Sequence, residues 1–322
     1  MEAFGTKLGV VLTVATVAAL AAGWARVRRQ PLSWDGWVTL AALLAAEFLM
    51  FRKVEPVATF FTPIAWTCFI ALVDAMVLAV KSNARTNKGE RASSAGLWVG
   101  RSAAEKAQIA LLSIPLWLIF EAYNLRLANW TYVGLPENLV ARYFGYAWSF
   151  ATITPGIFVT ADLIESFGWF GPARRVKCSP GALHGWMAAG AVMLAVPLVL
   201  PREVAAYLFA PVWLGFVFLL DPVNHRLGLP SLTGDFAEGR RARLYALLLS
   251  GWACGVLWEF WNYWAAAKWV YIFPMFQQWK IFEMPAPGFL GFPPFALECF
   301  AMYVTAAWGL KRVWPQMNTD KQ

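Results

Sequence analysis

Nine apolar segments dominate this chain and leave it few ways to fold. They lie at about 5–25, 36–51, 57–80, 107–124, 143–169, 182–200, 204–221, 244–264 and 288–310. A transmembrane helix needs roughly 20 mostly apolar residues, and most of these segments approach that length. Of the 322 residues, 59% are hydrophobic and only 14% are charged, which argues against a soluble domain. The sequence therefore predicts an all-α integral membrane protein with about nine transmembrane helices.

The basic residues predict an orientation for these helices. The chain carries 27 Lys and Arg against 19 Asp and Glu, a formal net charge of +8. If the amino terminus is outside, 19 of the 27 basic residues fall in the inner segments and 8 in the outer ones. The positive-inside rule then places the amino terminus outside and the carboxyl terminus inside. We expect a multi-pass protein of the bacterial inner membrane and no nucleic-acid partner, because the positive charge is accounted for by topology.

The sequence lacks the residues that several classes of functional site require. Four cysteines, Cys68, Cys178, Cys254 and Cys299, are scattered without a CxxC pair, and the chain has two histidines. A disulfide scaffold, a zinc–thiolate site and a multi-haem protein therefore lose support. The sequence also lacks a P-loop, a GxSxG elbow and an HExxH motif. We expect no metal site and no cofactor.

Two co-linear matches indicate an internal duplication. Residues 61–74 align with 209–221, so that Asp74 matches Asp221, and residues 121–132 align with 259–271 in the shared pattern Glu-x-x-Asn followed by Trp-x-Tyr. We interpret residues 35–171 and 172–317 as two four-helix repeat units, preceded by an extra transmembrane helix in residues 1–34. Since four helices are an even number, both units have the same orientation, which makes a parallel repeat.

Eight carboxylic acids fall inside the predicted spans, whereas the one basic residue there is Lys7, at the start of the first span. An ionised carboxylate at the centre of a transmembrane helix costs roughly 2.5–3.5 kcal/mol, so such residues are functional by default. Four of them lie toward the inner ends of their helices, where interfacial water can solvate them, and their role stays open: Asp74, Asp162, Glu165 and Asp221. The others are Glu47, Glu121, Glu259 and Glu298.

Glu121 and Glu259 recur in the duplication, each with an asparagine three residues on, Asn124 and Asn262. Residues i and i+3 share one helix face, so we expect each Glu–Asn pair to form a local hydrogen-bonded unit. Such a unit fits a catalytic carboxyl. It fits equally well a structural clamp that joins the two repeat units.

The second unusual feature is 19 tryptophans, six of them between residues 252 and 279. They form either an interfacial aromatic belt or, in a sharper interpretation, part of two aromatic caps made by the outer loops 125–142 and 265–287. Such caps would roof a cavity that contains Glu121 and Glu259. Pro155, Pro293 and Pro294 would break the helices that follow. The candidate substrate-binding residues are Asn124, Asn262, Trp130, Tyr132, Trp269, Tyr271, Trp258 and Trp261.

The segment from Glu259 through Trp269-Val-Tyr271 to Pro294-Phe-Ala-Leu-Glu298-Cys-Phe300 resembles the membrane lycopene cyclase domain of the bacterial heterodimeric and fungal fused type. In that family an aromatic loop is followed by a helix that opens with Pro-x-Glu-Glu. The resemblance covers about 45 residues, and more faintly the first copy. It departs from the family in having one Glu, separated from Pro294 by three residues.

The resemblance implies acid-catalysed cyclisation of a polyene, with Glu298 or Glu259 as proton donor and Trp269, Tyr271, Trp130 and Tyr132 lining the pocket. Glu121 is the third catalytic candidate, because it matches Glu259. A desolvated carboxyl can act as the acid, aromatic faces can stabilise a carbocation, and no redox cofactor is needed.

Two other functions remain open from the sequence. Parallel repeats, mid-span carboxylates and proline-broken helices also fit a proton- or cation-coupled transporter or channel. The chain could equally be a non-catalytic subunit that binds lipid, carotenoid or partner membrane subunits. In each case the expected partner is a membrane lipid or another lipophilic small molecule.

Overall fold

The fold is predominantly helical in the computed structural model, which describes residues 2–88 and 96–313. Within these residues the longer helices are α1 (Glu2–Arg26), α2 (Trp34–Phe51), α3 (Phe61–Lys88), α4 (Ala103–Leu127), α5 (Leu139–Ala151), α6 (Ile153–Ser166), α7 (Pro180–Val199), α9 (Phe209–Arg226), α11 (Ala242–Trp264) and α12 (Phe292–Val313). Two short helices, α8 (Arg202–Ala205) and α10 (Leu232–Glu238), lie in the turns on either side of α9.

In the part of the chain that the structure describes, four short strands and one 3₁₀ helix interrupt the helical pattern. Strand β1 (Trp130–Val133) follows α4, and strand β2 (Lys268–Tyr271) follows α11. Strands β3 (Lys280–Ile281) and β4 (Met284–Pro285) form a small hairpin that leads into the 3₁₀ helix Ala286–Gly291 and then into α12.

Eight segments of the described chain are long and apolar enough to cross a bilayer, which confirms a multi-pass, mainly helical protein. Helices α5 and α6 together form one of these segments, Leu139–Ser166, and the 3₁₀ helix with α12 forms another, Ala286–Val313. The remaining predicted segment, 204–221, overlaps helix α9, but α9 is not among these eight. The number of crossings and the orientation of the chain stay predictions.

The helices run between two faces of the molecule. Helices α4 and α11 both end at the face that carries β1 and β2, which we call the cap face. The turn between α7 and α9 lies at the same face, because the Asn129 side-chain amide donates to the Ala206 carbonyl at 3.1 Å. The loops before α4 and between α9 and α10 meet at the opposite face, where Leu97 and Leu229 line one cavity.

Local signals explain where several helices begin and end. Ser102 and Glu105 form a capping box at the start of α4, and the Ser179 hydroxyl accepts the Ala182 N–H at the start of α7. The predicted break near Pro155 occurs at Thr152, between α5 and α6, and places the proline in the first turn of α6. A first-turn proline is tolerated because its missing N–H would have no intrahelical partner.

Burial separates central helices from peripheral ones. Residues 154–164 of α6 are all buried, and α11 and α12 are buried along most of their length. In contrast at most 22% of the residues in the apolar stretches of α1, α2, α4 and α7 are buried, and apolar residues such as Val11 and Val14 are exposed. Exposed apolar surface of this extent fits contact with lipid rather than water.

Strands β1 and β2 pair antiparallel, with Trp130 opposite Tyr271 and Tyr132 opposite Trp269. In the alignment of the two repeat units, Trp130 corresponds to Trp269 and Tyr132 to Tyr271. This correspondence turns the pair Trp130–Tyr271 into the pair Trp269–Tyr132. Two copies related by a twofold axis between the strands would make this register. The assignment of repeat units to 35–171 and 172–317 stays a prediction, and residues 314–317 lie outside the described chain.

Gly134, just after β1, shows how closely the two outer loops approach each other. Its φ is +66°, and a Cβ atom there would lie 2.0 Å from the Ala266 carbonyl oxygen. Only glycine tolerates both the left-handed conformation and this contact.

Candidate functional site

A cavity of about 130 Å³ lies beneath the paired strands at the cap face. Its walls come from α3, α4, α5, α9, α11 and α12, and its roof comes from β1 and β2. Aromatic side chains dominate the lining: Phe60, Trp66, Trp117, Trp130, Tyr132, Tyr146, Phe150, Trp213, Trp258, Trp269, Tyr271, Phe292 and Phe295. The outer loops therefore form a roof over a cavity, as in the second of the two interpretations of the tryptophan-rich segment.

The two asparagines fasten the strands to the helices that precede them. The Asn124 amide donates to the Trp130 carbonyl at 2.9 Å, and its oxygen accepts the N–H groups of Asn129 and Trp130. The Asn262 amide donates to the Trp269 carbonyl at 2.8 Å, and its oxygen accepts the Trp269 N–H at 2.9 Å. The asparagines, predicted to bind substrate, thus have their polar atoms occupied by the backbone of the caps.

Glu121 also binds the first cap. Its Oε1 accepts hydrogen bonds from the Trp117 indole at 2.9 Å, the Trp130 indole at 3.2 Å and the Tyr132 hydroxyl. The expected hydrogen bond from Glu121 to Asn124 is not among the contacts of the described residues. Glu121 and Asn124 therefore both hydrogen-bond to β1, the strand that follows α4, and not to each other.

Glu259 makes the corresponding contact in the second half with fewer partners. It is fully buried, and its Oε1 accepts the Tyr271 hydroxyl at 2.9 Å. The Trp269 indole donates to that same hydroxyl at 3.0 Å. The second oxygen, Oε2, has no hydrogen-bond partner within the described part of the chain. An ionised carboxylate is costly in such a setting, since one of its oxygens is neither solvated nor hydrogen-bonded.

The two tyrosines connect the carboxyls to the cavity, whose lining includes Tyr132 and Tyr271 but neither Glu121 nor Glu259. Burial, followed by the charge of Glu121, raises the pKa of the Tyr132 hydroxyl well above its ordinary value. Burial also raises the pKa of the Tyr271 hydroxyl well above its ordinary value. Both hydroxyls therefore keep their protons at neutral pH and can donate them.

Glu298 and Trp261 lie outside the cavity lining. Glu298 is fully buried, its Oε1 accepts the Phe216 N–H at 3.2 Å, and its Oε2 has no partner among the described residues. The Trp261 indole donates to Glu47 at 2.9 Å and packs against Trp66 with ring centroids 5.0 Å apart. Of the tryptophans predicted on α11, Trp258 is the one that reaches the cavity wall.

Three of the four carboxylates toward the inner helix ends have structural partners. Asp162 accepts the N–H groups of Leu97, Trp98 and Val99 at 2.7–2.9 Å. Asp221 accepts the N–H groups of Leu232 and Thr233 and the Thr233 hydroxyl. Asp74 pairs with Lys106 at 2.7 Å.

The sequence interpretation missed several wall residues. Trp66 and Trp213 line the cavity from α3 and α9 and occupy matching positions in the aligned segments 61–74 and 209–221, so the duplication itself was the available signal. Trp117 lies one turn before Glu121 and on its face, where the helical spacing could have placed it. No comparable pattern marks Phe150 or Phe295.

Two basic side chains reach the same wall. Lys268 is paired with Glu283 at 2.6 Å, which offsets its charge. Arg142, in the first turn of α5, is half-buried, and its guanidinium donates from Nε to the Pro136 carbonyl at 2.9 Å.

Comparison with known proteins gives no assignment. No family model, no curated protein and no solved structure matches this chain.

Proposed function

We propose that this protein is a membrane enzyme that acts by acid catalysis on one end of an isoprenoid- or carotenoid-like chain. The observation that carries the proposal is the aromatic cavity roofed by two tyrosines, each hydrogen-bonded to a buried or half-buried carboxyl, Glu121 and Glu259. The resemblance of residues 259–300 to the membrane lycopene cyclase domain points to the same chemistry.

The size of the cavity suggests which part of a substrate enters it. A dry apolar cavity of about 150 Å³ is large enough to hold benzene. The 130 Å³ available here therefore suits a single ring or the end of a chain, and not an entire polyene. The rest of a long apolar substrate would remain in the bilayer.

Helix α5 offers a place where such a chain could pass. Ala141, Arg142 and Gly145 line the cavity, whereas Val140 and Tyr143 on the same helix are 80% and 65% exposed. One face of α5 therefore meets the cavity and the other meets the surroundings, which are lipid for a helix of this composition. We propose that the substrate chain lies along this helix and reaches the cavity from the side.

The two carboxyls suit opposite roles in the proposed reaction. Glu259, with one hydrogen-bond donor and an unpartnered oxygen, suits the neutral acid, and its proton would pass through the Tyr271 hydroxyl to a carbon–carbon double bond. The ring closes on the resulting carbocation. A proton then leaves a neighbouring carbon toward Tyr132 and Glu121, whose oxygen accepts three donors and so suits a negative charge. One proton enters and one leaves, so the reaction is an isomerisation.

The aromatic wall supports the cationic intermediate in this proposal. A cation over a desolvated Trp or Tyr face gains about 2 kcal/mol. Trp117, Trp130 and Trp258 all contribute to the lining, and Trp258 packs against Trp66 with ring centroids 5.0 Å apart. Packed rings of this kind stabilise a cation and supply no nucleophile to trap it.

Deuterium incorporation tests the proposal directly. The full chain is reconstituted in liposomes with an acyclic isoprenoid polyene in D₂O, and the products are analysed by mass spectrometry and absorbance. Acid catalysis predicts a cyclised product that carries one deuterium for each closed ring. Glu259→Gln should lose this product, whereas Glu203→Gln, an exposed glutamate in the short helix α8, should retain it.

Analysis of the lipophilic molecules that co-purify in mild detergent provides the second readout. A polyene or isoprenoid that is bound by the wild-type protein and changes in amount or form in Glu259→Gln supports the proposal. If only bulk phospholipid co-purifies and no deuterated product forms, the enzyme proposal fails. Proton-dependent flux in the same liposomes would then support a transporter.

A further inference from the structure

A second cavity, of about 610 Å³, lies at the face opposite the caps. It is bounded by the ends of α3, α6 and α12, by the loop before α4 and by the first turn of α11. This is the face to which the positive-inside rule assigns most of the basic residues. The cavity is separate from the aromatic one, and the proposed acid catalysis makes no use of it.

Basic side chains from four parts of the fold converge on this cavity. Within the described chain they are Lys81, Arg101, Arg243 and Lys311, and the acidic lining residues are Asp162 and Glu165. Asp162 is already surrounded by three backbone N–H donors, which offset its charge. Glu165 is exposed. The lining therefore carries more positive than negative charge.

The partners of these basic residues show where an anion could bind. Arg243 pairs with Asp235 at 2.9 Å, and Arg101 lies 3.6 Å from Glu105. Lys81 donates at 3.4 Å to a neutral acceptor, the Val99 carbonyl. Lys311 makes no ion pair with any described residue. Lys81 and Lys311 thus make no ion pair within the described structure, and both line this cavity.

Two further features favour an anion with an apolar attachment. The first turn of α11 contributes Arg243 to the lining. Arg241, the residue before this helix, makes no side-chain hydrogen bond that would cap the helix N-terminus. The positive end of that helix dipole therefore lies near the cavity. Helix α12 adds apolar side chains to the lining, among them Phe300, Val304 and Trp308.

We propose that this cavity binds a phosphate-bearing anionic group, with Lys81 and Lys311 as the principal contacts. The phosphate belongs either to the headgroup of an anionic lipid, whose chains meet the apolar wall, or to a free phosphate compound. The two sources share the same recognition chemistry, charge-assisted hydrogen bonds from lysine ammonium groups.

Native mass spectrometry of the full chain in mild detergent tests this site. Phosphatidylglycerol and phosphatidylcholine are added separately, and bound adducts are counted for the wild type and for the double variant Lys81→Gln, Lys311→Gln. The control is Arg174→Gln with Lys177→Gln, which removes the same charge from exposed positions between α6 and α7. We expect one tightly bound phosphatidylglycerol per chain, and roughly tenfold weaker binding in the double variant only.

Competition with inorganic phosphate and pyrophosphate separates the two sources. Displacement of the lipid by either anion indicates that the phosphate alone is recognised, and retention of the lipid indicates that the whole headgroup and chains are recognised. Equal loss of binding in the control variant, or equal binding of phosphatidylcholine, overturns the proposal. The melting temperatures of both double variants, measured in parallel, exclude unfolding as the cause of a loss.

Discussion

At the scale of single residues, the two duplicated glutamates share a position but not an environment. Glu121 is half-buried, and one of its oxygens accepts hydrogen bonds from two indoles and one hydroxyl. Glu259 is fully buried and accepts one hydroxyl. Identical residues at matching positions are thus placed where one suits an anion and the other a neutral acid.

Replacing each glutamate by leucine should therefore have unequal effects on stability. Glu121→Leu leaves two indole N–H groups and the Tyr132 hydroxyl without their acceptor and should destabilise the fold by about 2 kcal/mol or more. Glu259→Leu leaves one donor, the Tyr271 hydroxyl, without its acceptor, but it also removes an unpartnered buried oxygen, so we expect a smaller loss of about 1 kcal/mol. Thermal unfolding in mild detergent, followed by tryptophan fluorescence, compares the melting temperatures.

The conservative variant Glu121→Gln keeps an oxygen that can accept these donors and should recover most of the loss. In turnover assays Glu259→Leu, which removes the proposed acid, should abolish product formation even though it folds. A lower melting temperature for Glu259→Leu than for Glu121→Leu would contradict the assignment of the charged and neutral roles.

At the scale of elements, each cap is tied to its preceding helix by an asparagine and to the other cap by the β1–β2 ladder. Asn262 satisfies both backbone groups of Trp269, and Asn124 binds Trp130 in the same manner. Because the strands share a ladder, a disturbance at one cap should reach the other.

Asn262→Ala should therefore loosen both caps. The variant leaves the Trp269 N–H and carbonyl without these partners, and each buried unpaired backbone group costs about 1–3 kcal/mol. Hydrogen exchange measured by mass spectrometry should become faster in residues 268–271 and also in 130–133. Asn138→Ala, which removes only the N-cap of α5, serves as the control and should leave both strands protected.

Unchanged exchange in 130–133 would show that the caps move independently and that the ladder does not couple them. Asn262→Asp refines the test. It keeps an oxygen for the Trp269 N–H but places a second oxygen near the Trp269 carbonyl, so we expect an intermediate increase in exchange.

The helices were predictable from the sequence because a long apolar segment is recognised from neighbouring residues alone. The predicted segments 5–25 and 244–264, for example, agree closely with α1 and α11. The pairing of β1 with β2 was not predictable in register, because it joins residues about 140 positions apart. The Glu-x-x-Asn spacing was visible, yet it suggested a Glu–Asn bond, since helical geometry alone does not show that the following strand supplies better partners for both side chains.

At the scale of the whole molecule, the strand ladder constrains how often the chain crosses the membrane. Strands β1 and β2 are hydrogen-bonded, so they lie at one face. Between them lie the segments Leu139–Ser166, Pro180–Val199 and Ala242–Trp264, together with the less apolar helix α9. A chain that leaves a face and returns to it crosses an even number of times, so α9 should be a crossing as well.

The composition of α9 is closer to that of a helix enclosed by protein than to that of a helix facing lipid. Its Val212, Gly215 and Asp221 are buried, and it packs closely against α7, where a Cβ atom on Gly190 would lie 2.5 Å from the Leu219 nitrogen. A crossing helix shielded by its neighbours needs less hydrophobicity than a helix exposed to lipid. This shielding explains how α9 could cross the bilayer and still fall outside the eight most apolar segments.

Cysteine labelling tests the crossing and the orientation together. In a Cys178→Ala background, Glu203→Cys lies just before α9 and Leu227→Cys just after it, where Leu227 is 43% exposed. With the amino terminus outside, a membrane-impermeant maleimide should label residue 203 in intact cells and residue 227 only after permeabilisation. Labelling of both from one side would show that α9 does not cross, which is incompatible with two caps on one face. The reverse pattern would keep the crossing and invert the orientation, and the phosphate-binding cavity would then face the outside.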